Sequence, residues 1–363
     1  IEMSISGNVG VNVNLNEDLL VENSPLHTLF HEDPGLLIQV NEDYYKYAMN
    51  ILKDKSIRYE VIADTTLDTK FTINMKLCHI STYQSYYSVP IESLRRDYEY
   101  SSNKLELQQC NPENAMEEYN YLSSPESSQV NINNLPFRAP NLMPRDLRRC
   151  PSIDSDLCIP SPIYVGIIRE EGSNGEKEMA AAFELAGFRV LDLPINYLIN
   201  TTTNEIENLI RHVHCIAFVG GFTYSDVFGA GVGWSNVIKH NTNVEYFFDK
   251  FYKQSRNISI GICNGCQLMV KLNIIPNVKI VQNKSKRFES RFSYLKIRDI
   301  KSKSPWLNKL DDAILGTWVA HGEGRFMFEN NTNNYICMKY VDQQGNSTQK
   351  YPFNPNGSEY GCA

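Results

Sequence analysis

The run Gly261-Ile-Cys-Asn-Gly-Cys-Gln267 has the residue types and spacing of a nucleophile site. Its cysteine, Cys263, follows the apolar run Ile258 to Ile262 and precedes a helix-like stretch, Cys266 to Leu272. A thiol on a sharp strand-to-helix turn is held exposed, in a strained backbone position, at the edge of a sheet. The helix start lowers the thiol pKa and directs free backbone N–H groups at a developing oxyanion. The Asn264 N–H is one such donor, and a second comes from the Gly220-Gly221 loop after the neighbouring strand, Cys215 to Val219. Gly261 and Gly265 flank the thiol because side chains there would crowd the turn.

Other readings of the same residues stay open. Cys263 and Cys266 form a Cys-x-x-Cys pair, which serves thiol-disulfide exchange when it sits at a helix start after a strand. A Cys-x-x-Cys zinc site would need a second such pair, and the chain has none. Gly229-Ala-Gly-Val-Gly233 resembles a nucleotide loop but does not directly follow a strand, so it reads as a tight turn. Trp234 and Trp318 read as core or interface anchors, and Arg287 and Arg291 as partners of Glu289 or of a bound group.

These features have to be positioned by a chain of 363 residues, long enough for two domains. Its 42% apolar and 21% charged content is globular, and its net charge of −7 argues against a nucleic-acid partner. No run of about 18 apolar residues predicts a membrane span. Nine unevenly scattered cysteines fit a reducing, cytoplasmic setting, which makes the sequons at Asn257, Asn283 and Asn346 chance matches. The first residue, Ile1, predicts a piece of a longer protein.

Three segments follow. Residues 1–76 read as a small α/β piece: a buried-type strand over Gly35 to Val40, a helix over Glu42 to Lys55, and strands over Arg58 to Ala63 and Lys70 to Met75. Residues 77–162 read as a polar helical segment, most helix-like over Ile91 to Tyr98. A Ser-, Asn- and Pro-rich linker from Ser123 to Pro162 follows and contains the basic run Arg145 to Arg149. Residues 163–363 alternate strand and helix: strands at Ile163 to Ile168, Phe188 to Leu193, Cys215 to Val219 and Ile258 to Ile262, with helices at Glu176 to Ala186, Asn204 to Arg211 and Val244 to Tyr252. That order predicts an α/β fold with a doubly wound, mostly parallel sheet. Ligands bind such sheets outside the carboxyl ends of the strands, where Gly221 and Cys263 fall.

Gly-x-Cys-x-Gly-x-Gln resembles the nucleophile motif of class I (triad-type) glutamine amidotransferases, which have a flavodoxin-like sheet. The resemblance narrows over Arg169-Glu-Glu-Gly-Ser-Asn174, Glu178-Met-Ala-Ala-Ala-Phe183, Gly220-Gly-Phe-Thr-Tyr-Ser-Asp226, Gly229-Ala-Gly-Val-Gly-Trp234, Arg287-Phe-Glu-Ser-Arg291, Ala320-His-Gly-Glu-Gly-Arg325 and Tyr351-Pro-Phe-Asn-Pro-Asn-Gly-Ser358. Together these look like the glutaminase domain of the phosphoribosylformylglycinamidine synthase family of purine biosynthesis. His31-Glu-Asp-Pro-Gly-Leu-Leu-Ile-Gln-Val40 and Ser93-Leu-Arg-Arg96 look like the end of the AIR synthase-like synthetase portion of its single-chain form.

The resemblance implies that Cys263 attacks the glutamine side-chain amide, forms a γ-glutamyl thioester and releases ammonia for ATP-dependent amidation of formylglycinamide ribonucleotide. It implies Gly221 and Asn264 as the oxyanion hole, and Gln267, Phe222, Tyr224 and Ser225 as glutamine-pocket residues, with Ser225 standing where the family commonly has Gly. Glutamine and the synthetase domains of the same polypeptide are the implied partners. No cofactor is expected within these residues, ATP and Mg²⁺ belonging to the longer enzyme. The family places its His base and Glu orienter in a Pro-His-Pro-Glu-Arg segment, and the sequence ends at Gly361-Cys-Ala363 without one. His321 and Glu323 have the same His-x-Glu spacing and are the alternative pair within the chain. The expectation is impaired glutaminase turnover, or else a non-catalytic binding module of the same fold.

Overall fold

The computed structural model describes residues 1–15, 25–30, 32, 34–75, 84–124, 163–298, 306–307, 310–329 and 336–363. The basic run at 145–149, almost all of the linker reading, and His31 and Asp33 lie outside the described residues. The chain forms two compact units, Ile1–Glu106 with Glu118–Asn131, and Leu107–Glu117 with Ile132–Ala363.

In the first unit β1 (Gly10–Leu15), β2 (Ala63–Thr66), β3 (Lys70–Met75) and β4 (Gln84–Pro90) make a mixed sheet of order β2-β1-β3-β4. Only β1 and β3 run parallel within it. Leu15, Phe71 and Ile73 form its small core with Val11, Val13, Val89 and Leu94. Strand β1 was hidden from sequence reading because strand-averse asparagines occupy its alternate positions. One of them, Asn14, accepts from Asn74 Nδ2 on the neighbouring strand at 3.0 Å. Arg95 is buried and donates from Nη2 to the Ile5 carbonyl at 2.8 Å.

Two expectations need correction here. The run Gly35 to Val40 is not a strand: Leu36 is 96% exposed and Leu37 61%, and no described strand pairs with it. An apolar run becomes a strand only where a neighbour supplies ladder hydrogen bonds. The second strand begins at Ala63 instead of ending there. The expected helix forms over Tyr45–Asp54 after a short 3₁₀ turn, but none of its residues is buried.

In the second unit β5 (Tyr164–Arg169), β7 (Arg189–Pro194), β8 (Val213–Phe218) and β10 (Ile258–Gly261) form an all-parallel sheet of order β10-β8-β5-β7, while β6 (Ser173–Asn174) and β9 (Gly220–Gly221) pair separately. Side-chain alternation sends Val165, Ile167, Cys215 and Ala217 to one face, where they pack with Phe183 of helix Glu176–Leu185. Ile168, Ile216 and Phe218 go to the other, against Leu198, Ile206, Trp234, Phe247 and Leu268 from five helices. Both faces are therefore covered, as a doubly wound sheet requires. Each fully buried aliphatic or aromatic side chain contributes about 1.5–3 kcal/mol. Helix Thr203–His212 starts at a capping box, with Thr202 accepting from the Glu205 N–H and Glu205 accepting from the Thr202 N–H.

The rest of this unit is antiparallel. Strand β11 (Val278–Val281) pairs with β14 (Arg325–Phe328), and β12 (Glu289–Ile297) lies between β13 (Ile314–His321) and β15 (Met338–Val341). This layer carries His321 and Glu323 to the parallel sheet's nucleophile end, as the contacts below establish.

Candidate active site

Cys263 stands between the end of β10 and helix Asn264–Lys271 with φ 51° and ψ −111°. A non-glycine residue in that region is strained and persists only where its surroundings enforce it. The Gly265 N–H donates to the Ile262 carbonyl at 2.9 Å and the Gln267 N–H to the Cys263 carbonyl at 3.1 Å. Gly265 lies against the β8 backbone so closely that a Cβ would meet the Phe218 carbonyl oxygen. The turn can therefore approach the sheet only with glycine there.

The Cys263 sulfur is half-buried, and its thiol donates to the Ala320 carbonyl at 3.5 Å. Burial pushes the thiol pKa up; the backbone N–H groups of Asn264 and Gly221 face the sulfur and pull it down, while the Asp226 charge pushes it up. Gly221 has φ 118° and pairs with Ser173 in the short β6–β9 ladder. The structure thus brings Cys263, Gly221 and Asn264 together at the carboxyl ends of the strands.

The Asn264 side chain is wholly buried and ties this centre together. Its Oδ1 accepts from Thr223 Oγ1 at 2.7 Å, and its Nδ2 donates to Gln267 Oε1 at 2.9 Å and Asp226 Oδ1 at 3.2 Å. Gln267 Nε2 in turn donates to the Glu323 carbonyl at 2.6 Å. Thr223 opens a strap in which Tyr224, Ser225 and Asp226 have φ of 52°, 54° and 51°. Three consecutive left-handed non-glycine residues store about 1–3 kcal/mol each, offset by the surrounding contacts. Burial pushes the Tyr224 pKa up to about 12, and the charges of Glu170 and Glu171 act in the same direction. Phe222 and Ser225 are exposed, Phe222 lying 6.3 Å from the Phe288 ring.

The His321–Glu323 pair is arranged differently from a base and its orienter. The Glu323 carboxylate accepts from the Ala230 N–H, with both oxygens at 3.4 Å. His321 Nδ1 is buried without a partner, and desolvation lowers the imidazole pKa. Among the described residues no histidine is hydrogen-bonded to Cys263. Glu289, opposite His321 in the β12–β13 register, is 1% exposed and neutralised by Arg291 Nε at 2.8 Å and Arg287 Nε at 3.3 Å.

Cys266 lies behind the nucleophile; burial, with the neighbouring Cys263 and Cys337 thiols, pushes its pKa up to about 12. A thiol so far from ionising is a poor partner for exchange. In the glycine run, a Cβ on Gly231 would sit 3.0 Å from Leu268 N, and one on Gly233 would press on the Tyr224 ring. The run is thus packed against helix Asn264–Lys271 and the Tyr224 ring. Among the described residues no group of three or more His, Cys, Asp or Glu side chains is arranged to hold a metal ion. Nor is any described helix long and apolar enough to cross a membrane.

Sequence reasoning used Asn264 for its N–H alone and missed its side chain, the Thr223 contact and the Asp226 contact. The signal available was the polar Asn-x-x-Gln pair on one face of the first helical turn.

Residues 163–363 match the family model of the CobB/CobQ-like glutamine amidotransferase domain. The chain is 33% identical over 390 residues to phosphoribosylformylglycinamidine synthase of Dictyostelium discoideum, with 100% of this chain aligned to 28% of that one. It is 31% identical over 391 residues to the enzyme of the same name from Drosophila melanogaster, covering 100% and 27%. It therefore spans little more than a quarter of the length of these relatives. The solved structure of PurLQS from Thermotoga maritima superposes with a TM-score of 0.43 at 20% identity, covering 56% of this chain and 80% of that one.

Proposed function

The chain belongs to the CobB/CobQ-like glutamine amidotransferase domain family, and on that premise we propose that Cys263 releases ammonia from glutamine through a γ-glutamyl thioester. The observation that carries this reading is the Cys263 elbow, φ 51° and ψ −111° between the end of β10 and helix Asn264–Lys271, which sets the thiol against the Gly220–Gly221 strand with the Gly221 and Asn264 N–H groups beside it. Sγ gives up its proton and attacks the side-chain carbonyl carbon of glutamine. The carbonyl oxygen becomes an oxyanion held by those two N–H groups. Collapse breaks the C–N bond, the amide nitrogen takes up the proton that Sγ released and leaves as ammonia, and water then hydrolyses the thioester to glutamate and restores the thiol. Gln267, Phe222, Tyr224 and Ser225 line the glutamine pocket in this reading.

The hydrolytic half needs a general base. Cys263 donates to a carbonyl rather than to an imidazole. The Glu323 carboxylate is engaged by Ala230, away from His321. We infer that residues 1–363 alone form the thioester more readily than they hydrolyse it.

Similarity along the whole chain to phosphoribosylformylglycinamidine synthases supports a wider proposal. The ammonia would feed an ATP-dependent amidation of formylglycinamide ribonucleotide in cytoplasmic purine biosynthesis, at synthetase domains beyond these residues. Residues 1–76 would be the last part of such a domain, 77–162 the connection, and 163–363 the amidotransferase domain. ATP and Mg²⁺ would serve the synthetase reaction. Ammonia release from L-glutamine, followed with a coupled dehydrogenase, tests the amidotransferase reading. The expected outcome is a first-turnover burst that disappears in Cys263→Ala; an equal burst in that variant rejects it.

A further inference from the structure

Asp226 has no role in the thioester chemistry, and its position beside the nucleophile works against it. A carboxylate near a thiol disfavours the thiolate, and Asp226 bears on Cys263 in that sense. Its carboxylate is nevertheless fixed: Oδ1 accepts from Asn264 Nδ2 at 3.2 Å. Asn264 cannot turn away, because its remaining polar contacts go to Thr223 and Gln267. The backbone is held to match, since Asp226 closes the strap of three left-handed residues.

The charged group that bears on Asp226 from the antiparallel layer is another carboxylate, Glu323. The donor that holds Asp226 is neutral, and among the described residues neither carboxylate has a basic partner. Two carboxylates thus bear on one another beside the nucleophile, and Asp226 disfavours its thiolate. A cation entering with the substrate would relieve that repulsion. Glutamine brings one, the α-ammonium, a single side chain's length from the amide that Cys263 would attack.

We propose that Asp226, backed by Glu323, recognises the α-ammonium group of glutamine and selects α-amino acid amides over amides that lack this charge. The inference rests on the reading of Cys263 as a glutamine-directed nucleophile. It adds that Asn264 is a positioning residue for specificity, since its side chain aims the Asp226 carboxylate while its N–H faces the sulfur.

The test compares two affinity probes on the full chain: the chloroketone analogue of glutamine and its counterpart lacking the α-amino group. Second-order labelling rates at Cys263 are read by intact mass, with Cys263→Ala as the site control. Unsubstituted protein is expected to prefer the amino probe by about tenfold to hundredfold, the range for a hydrogen bond to a charged group. In Asp226→Asn that preference should fall to within about threefold, whereas Asp226→Glu, which keeps the charge, should retain a clear preference. Persistence of the full preference in Asp226→Asn overturns the inference. Equal loss in the Asn and Glu variants overturns it too, by assigning Asp226 a role in shape alone. Failure of both probes to label Cys263 in protein that iodoacetamide still alkylates would instead remove the glutamine reading itself.

Discussion

Gly221→Ala is the perturbation whose consequence is most sharply set by the geometry. The added Cβ would lie 2.6 Å from both Asn174 N and the Gly172 carbonyl oxygen, and 2.7 Å from Ser173 Cα. All three are backbone atoms, so no side chain can swing aside. The position also has φ 118°, which costs an L-residue roughly 1–3 kcal/mol. Overpacking adds about 1–3 kcal/mol more. The β6–β9 ladder must shift to relieve both, and the Gly221 N–H moves with it, away from the Cys263 sulfur. Losing one oxyanion donor slows acyl transfer by about 10²–10³-fold. Rapid-quench measurement of the first equivalent of ammonia from saturating L-glutamine reads that step. It does not depend on how quickly the thioester is hydrolysed. The expected result is a burst about a hundredfold slower in a protein whose circular dichroism is unchanged. A burst within threefold of the parent rate would refute the assignment of this N–H to the oxyanion.

Two further outcomes follow from the packing. Glu289→Ala leaves Arg287 and Arg291 without the buried carboxylate between them, and should destabilise the second unit by about 3 kcal/mol in urea melts; a change below about 1 kcal/mol would contradict that. Burial pushes the Cys215 thiol up to about 12 from its ordinary 9.0. A raised pKa means that the folded state keeps a proton the unfolded chain releases. The stability this contributes is complete below about pH 9 and lost as pH rises toward 12, at up to about 1.4 kcal/mol per pH unit. Thermal melts between pH 8 and 10.5 should fall less steeply in Cys215→Ala, and parallel slopes would remove the thiol as the cause.

The parallel sheet was legible because its two central strands are continuous apolar runs buried on both faces, as in Ile163 to Ile168 and Cys215 to Val219, alternating with helices such as Glu176 to Ala186. The elbow was legible because glycine at 265 and an apolar strand before Cys263 leave few other folds for that segment. Gly35 to Val40 misled because apolar content alone does not supply a pairing strand. Strand β1 was missed for the opposite reason, its asparagines concealing a period of two. The antiparallel layer brings Glu323 against Gln267 and Ala230, residues 56 and 93 positions away in the chain. No local pattern encodes contacts of that range. The same limit hid the Asn264 network, in which Thr223 and Asp226 lie 41 and 38 positions upstream.

The central claim is that Cys263 carries the γ-glutamyl group. Acid-quenched mass spectrometry of the chain after mixing with L-glutamine tests it most directly. The account predicts a γ-glutamyl adduct confined to the peptide containing Cys263, formed without added ATP and absent from Cys263→Ala. An adduct on another residue, or none in protein whose Cys263 remains open to alkylation, would contradict it.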